Sequence, residues 1–91
     1  MKNLNWKIIE SNIREAREEL EKIEEQIAKS KKPTEIELEL SLRHAYHHLN
    51  FVWHVRHIET EKYSKLTQSD FIRWGKFPKG FDDWNTFGEE G

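Results

Sequence analysis

The feature that most constrains this chain is a heptad stripe near its start. Trp6, Ile9, Ile13, Ala16, Leu20, Ile23 and Ile27 are spaced 3, 4, 3, 4, 3, 4 residues apart. That is an unbroken run of a and d positions, and nearly everything between them is polar. The spacing predicts one amphipathic helix over about residues 4–29, with Asn3 or Asn5 as its N-cap. The stripe is narrow, so the helix offers one side to one or two neighbours. Pairs four apart, such as Glu10–Arg14 and Glu18–Lys22, support its exposed side by only ~0.2–0.5 kcal/mol each.

The stripe stops at Ser30-Lys31-Lys32-Pro33, where proline disfavours helical geometry in the residue before it and the lysines suit a helix C-terminus. Thr34-Glu35-Ile36-Glu37 then reads as a capping box. A connection this short turns the next helix antiparallel to the first. That second helix is expected over about 35–64. One of its faces carries Leu38, Leu42, Ala45, Leu49 and Val52, with Tyr46 and Trp53 at the edge, and matches the first stripe. The other carries Ile36, Leu40, His47, Phe51, His54 and Ile58, with His44 beside it. A helix with two such faces is covered on two sides.

At 1.5 Å per residue the two helices would span roughly 39 Å and 45 Å, a hairpin with no enclosed core of its own. The expected fold is therefore all-α: a long antiparallel hairpin over residues 1–66, a C-terminal aromatic segment over 67–91 packing on it, and a homodimer forming a four-helix bundle. Leu40, His47, Phe51, His54 and Ile58 are the expected self-association residues. Thr67-Gln68-Ser69-Asp70 resembles a second capping box, opening a short helix through Trp74 that Gly75 would end. Phe77-Pro78-Lys79-Gly80-Phe81 reads as a turn, and Phe71, Trp74, Phe77, Phe81, Trp84 and Phe87 recur every three or four residues.

Composition narrows the function. The chain's 91 residues make one domain, with apolar and charged residues each at 35%. A formal net charge of −2 supplies no basic excess for phosphates. Arg73, Lys76 and Lys79 do alternate with aromatics, but Asp82 and Asp83 follow at once, so nucleic acid is not the expected partner. There is no cysteine, hence no disulfide and no thiolate zinc site. No apolar leader and no membrane span is visible, and a cytoplasmic location is the expectation.

All five histidines fall between positions 44 and 57. His44 and His48, four apart on a helix, are the candidate metal ligands, because imidazoles at that spacing chelate Zn, Cu, Ni or Fe. A third ligand would come from Glu61, Asp70, Asp82 or a second chain, since neither His-Glu-x-x-His nor Glu-x-x-His occurs. The foremost expectation is plainer: half-buried, hydrogen-bonded rings in an interface, with no cofactor. Buried neutral His47 and His54 would make that interface sensitive to acid. Arg56 falls where the second helix expects a hydrophobe, and Trp6 is its expected stacking neighbour. No Gly-x-Ser-x-Gly elbow or phosphate-cradling glycine loop is present. The expected function is a non-enzymatic protein that self-associates and mediates protein–protein interaction; the alternative is a histidine-based metal-binding bundle.

Overall fold

A computed structural model describes residues 3–81. Among them it contains four helices and no strand: α1, Trp6–Ala28; α2, Glu35–His54; α3, Thr60–Ser64; and α4, Gln68–Trp74. Trp84 and Phe87 of the aromatic series, and Asp82 among the possible ligands, lie outside the described residues.

The helix boundaries follow local chemistry. The Asn5 side chain accepts from the backbone N–H of Ile8 and starts α1. At its end the Lys32 ammonium donates to the Ile27 carbonyl, as a helix C-terminus favours. Both capping boxes form. Thr34 and Glu37 exchange bonds of 3.1 and 2.9 Å at the start of α2, and Thr67 and Asp70 exchange two of 3.1 Å at the start of α4.

α1 and α2 lie antiparallel. Contacts from Asn12 to His48 and from Glu19 to His44 fix the register, which sets Ala16 level with Ala45. Both alanines are buried, as is Ile23. Small residues on the contact line let the helices approach closely. Leu38, Leu42 and Leu49 are then left astride the seam rather than within it, together with Ile13, Leu20 and Ile27 of α1. This corrects the expectation that the two apolar stripes bury one another.

A second correction concerns α2, which ends at His54 rather than near residue 64. The chain turns through Val55–Glu59 before α3 begins. Asn5 holds that turn: its N–H donates to the Arg56 carbonyl at 2.7 Å and its side-chain amide to the Ile58 carbonyl at 2.7 Å. An unbroken helix would have carried Ile58, Tyr63 and Leu66 past the end of α1. The turn folds them back instead onto a core of Ile8, Phe51, Val55 and Trp74. Val55 is fully buried there. Arg56 stacks over Trp53, 3.8 Å from its ring centroid, and not over Trp6 as expected.

α4 closes this end. Trp74 packs edge-on to Phe51 at 5.9 Å and lies parallel to Tyr63 at 6.4 Å. Its C-cap, Gly75, keeps a right-handed φ of −85°, so conformational freedom is not why glycine stands here. The reason is proximity: a Cβ at Gly75 would lie 3.0 Å from His47 Nδ1. That approach lets Asn50 Nδ2 donate to the Gly75 carbonyl at 2.7 Å.

Candidate functional site

The hairpin has two unlike edges. On one, a polar line runs along the helix contact. Asn12 is buried, at 2% exposure, and its side-chain amide nitrogen donates to the Ile8 carbonyl (3.1 Å) and to the Tyr63 hydroxyl (3.2 Å). A carbonyl only accepts, so the amide orientation is fixed, and Oδ1 must face His48 Nδ1 at 2.8 Å. His48 Nε2 in turn lies 3.1 Å from His44 Nε2, and His44 Nδ1 lies 2.9 Å from Glu19 Oε1. Ser41 stands beside Glu19 and His44 on the same groove. A single relay therefore links Tyr63, Asn12, His48, His44 and Glu19 across three helices.

The electrostatics follow from burial and charge. Burial pushes the Glu19 carboxyl up, but Ser41, His44 and the charge of Lys22 outweigh it and hold the group below its ordinary range. Burial lowers the pKa of His48, and the neighbouring His44 lowers it further, against an upward pull from Glu15 and Glu19. His47 is lowered by burial first and by His48 and His44 next. Its ring centroid lies 4.4 Å from that of Phe51 and 4.5 Å from that of Phe71.

Four of the five expected self-association residues face the C-terminal segment of their own chain. Phe51 is buried within its own chain at 3% exposure, and Ile58 packs partly buried against the same core. His47 is half-buried beneath Phe71, and His54 Nε2 donates to the Lys76 carbonyl at 3.0 Å. Leu40 remains largely exposed. The two expected metal ligands, His44 and His48, are brought together. Glu61 and Asp70, their possible companions, are occupied elsewhere, by Lys65 and by Thr67 with Arg73. Among the described residues no group of three or more His, Asp or Glu side chains converges.

The other edge is apolar. Ile13, Leu20, Ile27, Leu38, Leu42 and Leu49 are each 38–48% exposed, and a shallow groove between the helices is lined by Leu20, Leu42, Ala45, Tyr46 and Leu49. Sequence reasoning placed these side chains in the hairpin seam and missed their exposure. It also missed Asn12 and Glu19 as parts of the relay. A signal was present: Asn12, Glu19 and Gln26 recur every seven residues beside the stripe of α1, while Ser41, His44 and His48 recur at three and four on α2. No described helix is long and apolar enough to cross a membrane. Neither a family model, nor a curated protein, nor a solved structure matches this chain.

Proposed function

We propose that this protein is a non-enzymatic, self-associating helical hairpin that acts by protein–protein contact, and that a second copy covers its apolar edge. The observation that carries the reading is the exposed row of Ile13, Leu20 and Ile27 on α1 beside Leu38, Leu42 and Leu49 on α2. These six expose on the order of 500 Å² of aliphatic surface, a little over half of the ~800 Å² each partner gives a standard interface, and that apolar share is ordinary for one. The occupant that fits best is another copy. Each helix shows knobs at heptad spacing, and an identical hairpin presents knobs and holes of the same period. A two-fold pair of hairpins is a four-helix bundle.

The surface drawn from sequence, through Phe51 and Ile58, is less suited, because those side chains pack against α3 and α4 of their own chain. Light scattering on the untagged full chain tests the reading. The expected mass is that of two chains at neutral pH. Leu20→Glu with Leu49→Glu should return one chain with its helicity intact, whereas Leu40→Glu should leave the pair associated. A wild-type monomer, or a dimer broken by Leu40→Glu alone, would overturn it.

A further inference from the structure

The histidine relay contains a mismatch of protons. Glu19 is a carboxylate at neutral pH, so it only accepts, and His44 Nδ1 must carry the hydrogen of their 2.9 Å bond. Asn12 Oδ1 also only accepts, its orientation being fixed by the two donations from Nδ2, so His48 Nδ1 must carry the hydrogen of their 2.8 Å bond. A neutral imidazole has one N–H. With both rings neutral, each therefore presents a bare lone pair at Nε2, and these two atoms stand 3.1 Å apart. No hydrogen lies between them.

From this convergence we propose that His44 and His48 form a two-imidazole binding site for a divalent first-row transition ion such as Zn²⁺, with Glu19 and Asn12 as positioning residues. Two Zn–N bonds of 2.0–2.1 Å at a tetrahedral angle place the nitrogens roughly 3.3 Å apart, so an ion enters with a shift of a few tenths of an ångström. The surrounding bonds are those metal-bound histidines use: one ring donates its far N–H to a carboxylate and the other to an amide oxygen, which fixes tautomer and ring orientation. The local charge agrees. The Glu19 carboxylate faces His44, and the Lys22 ammonium is tied to its second oxygen at 3.5 Å. His44 is half exposed and His48 half-buried, so solvent reaches the site and supplies the remaining ligands as water. The site opens on the edge opposite Leu20 and Leu49, so it stands or falls independently of self-association.

Two measurements on the untagged full chain test the proposal. Long-range ¹H–¹⁵N spectra of the histidine rings, without metal, should show His44 and His48 both protonated at Nδ1 and bare at Nε2. An Nε2–H tautomer at either ring would overturn the basis of the site. Calorimetric titration with ZnCl₂ should show one ion per chain, and the Nε2 resonances of these two rings should move on saturation. His44→Gln and His48→Gln should each weaken binding at least about tenfold, as should Glu19→Ala, while Glu19→Gln, which keeps the acceptor oxygen, should recover part of the loss. His57→Gln should change nothing. Absence of one-to-one binding, or binding that survives both His44→Gln and His48→Gln, would refute the proposal. Helicity by circular dichroism accompanies each variant, and loss of Zn²⁺ binding counts only where helicity is retained.

Discussion

The two ends of the hairpin are built on different principles. At the end away from the α1–α2 turn, three layers meet: α1 and α2 are sealed by the folded-back segment carrying α3 and α4, and Phe51, Val55 and Trp74 are almost wholly withdrawn from water. Toward the turn, among the described residues, there are only α1 and α2, touching through Ala16, Ala45 and Ile23, with aliphatic side chains standing half out on one edge and a polar relay on the other. Two helices enclose nothing; the third layer makes a core. Stability should therefore be concentrated at one end, and the other should depend on what covers it.

The sharpest test of this contrast is to make the same cut in both regions. Trp74→Ala should cost about 3–5 kcal/mol, read as a fall in melting temperature, since a buried aromatic is removed and its cavity lies against Phe51 and Tyr63. Leu20→Ala, at 43% exposure, should cost a small fraction of that in the monomer. Equal losses would abolish the distinction between the ends. Next comes the link between them. Asn12→Leu should cost about 1–3 kcal/mol in chemical denaturation, because His48 Nδ1 and the Tyr63 hydroxyl lose a buried partner. Gly75→Ala should cost about 1 kcal/mol, the low end of overpacking, because His47 is only half-buried and can give way to the new methyl.

The smallest effect expected is that of pH. Burial holds His47 below 6.5 in the folded chain. As pH falls through that value the unfolded chain takes up a proton that the folded ring refuses, so stability is complete above it and declines below it. Melting temperature should drop between about pH 7.5 and pH 5.5, and His47→Gln should flatten part of that slope.

Much of the architecture was legible because it rests on local rules. Heptad spacing gave α1 and the start of α2, and two capping boxes marked their helix starts to the residue. Two things were not legible. The turn after His54 has no glycine or proline to announce it; it is made by Asn5, more than 50 residues away, through a bond no periodicity records. The exposure of Leu42 and Leu49 depends on which residues lie on the contact line. A heptad identifies an apolar stripe but not the few tens of degrees of rotation that decide whether Ala16 or Leu20 faces the neighbour. For the candidate site, the pairing of His44 with His48 followed from spacing, while Asn12 and Glu19 belong to the other helix and enter only through tertiary register.

The Asn5 latch also bears on the order in which the molecule assembles. The contact between Asn5 and Ile58 closes a span of 53 residues, whereas the α1–α2 turn brings its own neighbours together across a handful. Loop-closure entropy is lost before distant contacts repay it, and non-local topology slows folding. Zipping from residues 29–34 outward is thus the kinetically accessible route, with the aromatic end closing last. The most cohesive part of the protein is its final step, and until that step is complete the nascent chain is a bare amphipathic hairpin whose sticky surface is at its largest.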